Sequence, residues 1–503
     1  MDLFRKKSVD QLVAESTPLK RTMRTFDLTM LGIGAIIGTG IFVLTGKGAL
    51  TAGPALSVSF LLAAVCCGFA GLCYAEFAAM APVSGSAYSY AYLAFGELIA
   101  FVIGWDLILE MLMAGSVISK YWGVYLNDFM RLMGWNANTN LTFGSFHIDI
   151  APIIIVAFFT TLLVFGTKIG ARVDGAMTVL KIAIVFFVVI VGFFYVKASN
   201  FTPFIPPSQP ASTVEGSSAV TGVMTQPLWQ FATGMTPSVY GVPGILSGAA
   251  LVFFAFIGFD VVATASEETK NPHKNVPLGI GVGMLLIIVM YMLVAVVTTG
   301  MVSYADLAKQ DSPSLATAFE LVGADWAAKI ISFGIVLGLA TVVMVLLLGL
   351  TRIVFAMSRD GLLPRGLSKT GKHGTPAALQ IVVGAVVALV AAFFDIGVLS
   401  DMVNIGTLSA FTLVAISIPI MRKKRPDLPR AFKMPGSPWI PILIAVANFW
   451  LMLNLSVLTW IRFVVWLVVG FAIYFGYGYW HARLGKGDLT ETLSAETDKA
   501  VNG

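Results

Sequence analysis

Stretches of about twenty residues with almost no charge recur along nearly the whole length of this 503-residue chain, and no other feature constrains its folding more. A helix rises 1.5 Å per residue, so each such stretch crosses about 30 Å of hydrocarbon. In lipid every backbone N–H and C=O must find its partner inside the protein, which leaves a helix bundle or a closed barrel. The short segments of about ten alternating apolar and polar residues that build a barrel are absent. Composition agrees: 57% of residues are hydrophobic, 12% are charged, and the mean hydropathy is +0.86. Soluble domains carry about twice that charge. The expected class is therefore an all-α integral membrane protein.

The apolar runs predict about twelve transmembrane helices. The first six fall at 28–45, 54–80, 97–118, 148–165, 175–196 and 247–266. The second six fall at 278–299, 326–350, 377–394, 402–421, 440–458 and 463–479. Residues 1–26 hold Arg5, Lys6, Lys7, Lys20, Arg21 and Arg24 without a small-residue cleavage site, which predicts a retained cytoplasmic tail. Residues 481–503 form a short polar tail at the other end. With the N-terminus inside, about 24 of the 32 basic residues fall on the inner side and about 7 on the outer side, so both termini are expected in the cytoplasm. A nucleic-acid partner has no basic groove or motif to support it. Cys66, Cys67 and Cys73 cluster in the second span, where small packing residues are a better account than a disulfide or a metal site. The external connection 199–243 is rich in Pro, Ser, Thr and Gly and is expected to be irregular.

Within the first span, GIGAIIGTGIF places Gly32, Gly34, Gly38 and Gly40 close together. Each glycine costs a helix interior roughly 1 kcal/mol relative to alanine. Small residues at this spacing can serve close helix packing. They can also mark an interruption, whose bare backbone groups must then face protein, water or ligand. A second segment favours interruption. FFAFIGFD, at 253–260, sets Gly258 among aromatics and follows it with an acid in mid-span, and it opens the second five-helix group as GIGAIIGTGIF opens the first. Broken helices at matching positions of two halves are what an inverted-repeat transporter requires. Freed N–H groups attract a carboxylate and freed carbonyls an ammonium, so a free amino acid is the expected ligand.

Several runs in order closely resemble bacterial members of the amino acid-polyamine-organocation superfamily, in its cationic amino acid transporter branch. They are FDLTMLGIGAIIGTGIF, GPALSVSFLLA, CYAEFAAMAPVSGSAYSY, GWDLILE, FFAFIGFDVVATASEETKNPHKNVPLGI and TRIVFAMSRDGLLP. The resemblance implies a LeuT-like fold of 5+5 inverted repeats plus two C-terminal helices, with helices 1 and 6 discontinuous. Mapped onto this chain, residues 27–421 are the core, with a first repeat at 27–198 and a second at 244–421, and 422–480 carry helices 11 and 12. It also implies that the substrate carboxylate meets the backbone of Ile36, Ile37, Gly38, Thr39 and Gly40, and that the ammonium meets carbonyls among Phe254, Ala255 and Ile257. Phe254 resembles an aromatic gate above the substrate.

Lys181, in MTVLKIAIVFF, lies roughly 9 Å into the fifth span. It can snorkel to the inner interface, or it can serve in the core. The resemblance implies that it stands where related folds hold a sodium ion, so that its proton couples transport. No cofactor beyond that proton is expected. Asp106 and Glu110, spaced i,i+4, share one face of the third span. Glu110 can meet a basic side chain, relay a proton or satisfy a neighbouring helix. Asp260 can cap the half-helix after the second break or take part in proton transfer. Glu76, Glu267 and Glu268 near inner span ends are candidates for gate contacts with Arg352 or Arg359. TVVMVLLLG, at 341–349, offers the site no acid, and Met344 is a candidate for limiting pocket depth. An apolar lining favours a small neutral substrate such as alanine, against the cationic label of the branch.

The expected function is proton-coupled import of amino acids across the cytoplasmic membrane, with cationic amino acid transport or exchange as alternatives. A sensor or receptor is a further alternative, disfavoured by the short tails. A disulfide-linked subunit would need a cysteine in 119–147, which has none. A small membrane accessory protein is compatible with the chain but has no motif in it. No nucleophile or metal motif suggests an enzyme.

Overall fold

The computed structural model describes residues 3–7, 21, 23–80, 86–135, 139–143, 146–165, 167–213, 222–310, 314–369, 371, 375–428 and 430–485. Most of both tails, including 8–20 and 486–503, lies outside the described residues, as do the side chains of Thr39 and Glu267.

The chain is almost wholly helical. Helices α1 (Thr25–Ile36) and α2 (Thr39–Ala52) are followed by α3 (Leu56–Met80), α4 (Ser86–Ala94), α5 (Glu97–Leu132), α6 (Ile150–Phe165) and α7 (Thr167–Phe193). Then come α8 (Gly241–Val252), α9 (Phe259–Thr264), α10 (Pro272–Met301), α11 (Asp325–Arg359), α12 (Ala377–Phe393), α13 (Ile396–Lys424), α14 (Trp439–Leu453) and α15 (Val457–Ile473). Eight stretches of the described helices are long and apolar enough to cross a membrane, and four further apolar helices, α1, α6, α12 and α14, are shorter. Exposed apolar side chains such as Ile154, Phe186, Leu285, Leu389 and Val468 lie on the outward faces of their helices, as lipid requires.

Long helices at the centre position the site. The 36-residue α5 packs extensively on α11 and α13, while α3 packs on α10. Tyr74 and Phe259 meet edge to face at 5.6 Å between ring centroids, and Phe259 and Phe411 lie 4.9 Å apart, so aromatic packing joins α3, α9 and α13.

The structure differs from expectation in four places. Helix α5 continues to Leu132, beyond the end at 118, because its polar C-terminal turns project past the apolar zone and are held by packing. The connection after it contains an antiparallel hairpin, β1 (Asn140–Phe143) with β2 (Phe146–Asp149). Residues 199–243 are not simply irregular: they include a helix at Leu228–Thr233 and the pairing of Gln209–Pro210 with Ser238–Val239. Helix α4 lies in what the hydropathy pattern reads as a connection, because its nine residues are too few to register as a span.

Candidate substrate site

Helix α1 stops at Ile36, Ile37 takes extended backbone, Gly38 departs from helical geometry at φ −157° and ψ −140°, and α2 starts at Thr39. The second interruption is built differently. Helix α8 tightens into a 3₁₀ turn over Phe253–Phe256, Ile257 is extended, and Gly258 adopts φ +121° before α9 begins. That conformation strains any residue with a side chain, which gives Gly258 its necessity.

The two interruptions pack directly on each other. A Cβ placed on Gly40 would lie 2.1 Å from the Ala255 Cα and 2.4 Å from its Cβ, so the backbones touch because position 40 has no side chain. Gly258 sits against Ala35 in the same way, with a hypothetical Cβ 3.1 Å from the Ala35 carbonyl.

A helix end leaves its last carbonyls and first N–H groups without internal partners. Among the carbonyls, that of Gly34 accepts from the Lys181 ammonium at 2.7 Å and that of Ile36 accepts from the Tyr291 hydroxyl at 2.9 Å. A cation at the C-terminal end of α1 also meets the negative end of the helix dipole. Lys181 is fully buried, with its aliphatic stem against Gly338 of α11, so it does not snorkel. Among the donors, the N–H groups of Thr39, Gly40 and Ile41 form the first turn of α2 and point back toward the break. Tyr125 of α5 donates to the Phe42 carbonyl at 2.8 Å and steadies that half-helix.

Between the breaks lies a small cavity. Its helix-end wall is Ala35, Ile36, Gly38, Gly40, Phe254 and Ile257. Its far wall is Ala114 and Ile118 of α5 with Val342 and Leu346 of α11, and no charged residue is among the lining. Ile37 and Ala255 are buried beside the cavity without lining it, and so is Met344. Val342 and Leu346, four apart on one helical face, occupy the wall that the 341–349 run was expected to supply.

The acids form a separate group. Glu110 and Asp260 are neighbours in the bundle, both buried, with Asp106 one turn from Glu110. Asp106 accepts from Ser409 at 2.8 Å. Neither oxygen of Glu110 has a hydrogen-bond partner among the described residues, and the nearby Thr407 hydroxyl donates to the Val403 carbonyl instead. Near the C-terminal end of α11, Arg352 pairs with Glu268 at 3.2 Å. Glu76 does not join Arg352 or Arg359. It accepts from Arg422 Nε at 3.0 Å and from the Met434 N–H at 2.7 Å, with Arg430 at 3.5 Å, because α3 ends beside the chain after α13.

Tyr291 and Tyr125 were missing from the sequence reading. A tyrosine in an apolar run gives no sign that its hydroxyl will meet a carbonyl on a helix far away in sequence.

Two interrupted helices facing one cavity inside an all-helical bundle define a membrane permease, and the chain belongs to the amino acid permease family, whose model matches residues 23–477. It is 44% identical to the branched-chain amino acid permease BcaP of Bacillus subtilis, over 96% of this chain and 99% of that protein. It is 41% identical to the methylthioribose transporter of the same organism, over the same shares. The vacuolar cationic amino acid transporter 4 of Arabidopsis thaliana is 35% identical over 84% of this chain and 68% of its own length.

Proposed function

We propose that this permease imports neutral amino acids with aliphatic side chains, from alanine to the branched-chain ones, across the cytoplasmic membrane by proton symport. The observation carrying this reading is the pair of facing breaks, with donors from the first turn of α2 on one side and the 3₁₀ segment Phe253–Phe256 on the other. The substrate carboxylate binds the N–H groups around Gly38, Thr39 and Gly40, with Ile36 and Ile37 setting the course of the chain. The ammonium meets carbonyls around Phe254, Ala255 and Ile257, and the Phe254 ring closes over it. The side chain extends toward Ala114, Ile118, Val342 and Leu346, with Met344 behind them. The apolar lining and the branched-chain permease among the relatives both support aliphatic substrates.

Two five-helix repeats of opposite orientation, 27–198 and 244–421, rock about this site, and both termini are cytoplasmic. Lys181 supplies the coupling. Its bond to the Gly34 carbonyl holds the inner half-helix α1, and loss of its proton frees that helix to move. Glu110 and Asp260 are the proton's further stations, supported by their proximity and by the orphaned oxygens of Glu110. Cationic amino acid transport has the plant relative in its favour, but no acid lines the cavity.

The test is uptake of labelled leucine and alanine into sodium-free proteoliposomes, with arginine and methylthioribose as competitors. An inward proton gradient drives accumulation in the wild type, whereas Lys181→Ala binds substrate without gradient-driven uptake. Equal uptake with and without the gradient would refute coupling, and competition by arginine as strong as by leucine would refute the aliphatic specificity.

A further inference from the structure

The described part of the N-terminal tail is a strap. The N–H groups of Glu97 and Leu98, in the first turn of α5, donate to the carbonyls of Arg5 and Leu3 at 2.9 and 3.1 Å. Those donors have no partners within their own helix, so the strap satisfies an exposed helix end. Gly96 permits the approach: a Cβ there would lie 2.5 Å from the Phe4 carbonyl oxygen.

Alternate side chains of the strap have opposite fates. Arg5 turns inward to Glu97 at 3.0 Å and lies over the Tyr479 ring, and Lys7 turns inward to Asp360 at 2.8 Å and lies near the Tyr92 ring. Phe4 and Lys6 remain exposed on the other side. Lys6 is not alone there. Its pKa is lowered, first by partial burial and then by the charges of Lys424 and Arg425 at the end of α13. Lys423 and Lys424 are exposed, and Asp427 answers Arg425 at 2.9 Å. Folding therefore brings Lys6 of the strap close to Lys424 and Arg425 at the end of α13, with Lys423 next to them in the chain. Trp439, opening α14, and Trp480, just beyond α15, are largely exposed, as aromatics at headgroup depth are.

We infer that Lys6, Lys423, Lys424 and Arg425 form a binding site for the phosphate of an anionic phospholipid of the inner leaflet, with Phe4 seated in the adjoining acyl boundary. The inference rests on the cytoplasmic placement of the N-terminus proposed above. Clustered lysines and arginines immediately inside a transmembrane helix attract anionic headgroups, and here the strap adds a cation held in place by its own two ion pairs.

The experiment titrates the full chain, purified in detergent, with phosphatidylglycerol or phosphatidylcholine and reads bound lipid by native mass spectrometry. Phosphatidylglycerol should bind preferentially, and Lys6→Gln and Lys424→Gln should each weaken it about fivefold and their combination about 25-fold. Phosphatidylcholine binding should stay unchanged in every variant. Lys274→Gln/Lys369→Gln, which removes two exposed cations elsewhere on the inner side, should bind as the wild type does. Wild-type affinity in the double variant, or an equal loss in that control pair, would overturn the site. Displacement of the lipid by millimolar inorganic phosphate would overturn the choice of a lipid over a soluble anion. The two single variants lie on different segments, so misfolding of one leaves the other as the test. Transport is not read, so failure here leaves the proposed transport cycle standing.

Discussion

Gly40→Ala is the smallest change that separates the two broken helices. The new methyl carbon would stand 2.1 Å from the Ala255 Cα, 2.4 Å from its Cβ and 3.0 Å from its backbone nitrogen. Carbon atoms in good contact are about 3.5–4.0 Å apart, so the segments must part by more than about 1 Å. The obstacle is backbone and cannot rotate away. Overpacking of this kind costs about 1–3 kcal/mol. The displacement also widens the gap across which one ligand must bridge α2 and the 3₁₀ turn, and charge-assisted hydrogen bonds weaken steeply with misplacement. Thermal unfolding should therefore shift down by several degrees, and leucine binding measured calorimetrically should weaken by about tenfold or more. Adding Ala255→Gly removes the 2.4 Å clash but leaves the 2.1 Å one, so the double variant should recover only part of the loss. Wild-type affinity and stability in Gly40→Ala would refute the direct packing of the two breaks.

Tyr291→Phe leaves the Ile36 carbonyl without its buried donor and should cost about 1–3 kcal/mol in unfolding by denaturant, with a larger effect on substrate affinity than Tyr195→Phe, away from the breaks. Glu76→Gln removes a nearly fully buried carboxylate from Arg422 and Arg430 and should destabilise by about 1.5–3 kcal/mol, read as accelerated proteolysis between α13 and α14. Unchanged cleavage there would mean that these ion pairs do not hold α3 to the chain after α13.

Helices with a strong apolar face were legible from the sequence, and so were the two breaks, because glycine in an oily span has few uses. Lys181 was legible for a similar reason: a charge in a span must meet a partner. The partners themselves were not legible. Nothing in MTVLKIAIVFF points to Gly34, 147 residues away, as the acceptor, and nothing in the 341–349 run says that Val342 and Leu346 rather than Met344 face the cavity. Such choices depend on the rotation of each helix about its axis, which a uniformly apolar helix leaves undetermined in sequence. The strap was hidden differently. Its basic residues fit the bulk pattern of a cytoplasmic tail, and only tertiary structure sorts Arg5 and Lys7 from Lys6.

The central claim is that backbone groups at the two breaks hold both ends of a zwitterion. It is tested most directly by competition against labelled leucine with four compounds: leucine, its methyl ester, N-acetyl-leucine and isoamylamine. Leucine should compete fully and each derivative about 100-fold more weakly, since each loses one charged end and leaves its partners unpaired. Competition by the ester or the N-acetyl compound at the strength of leucine would contradict it.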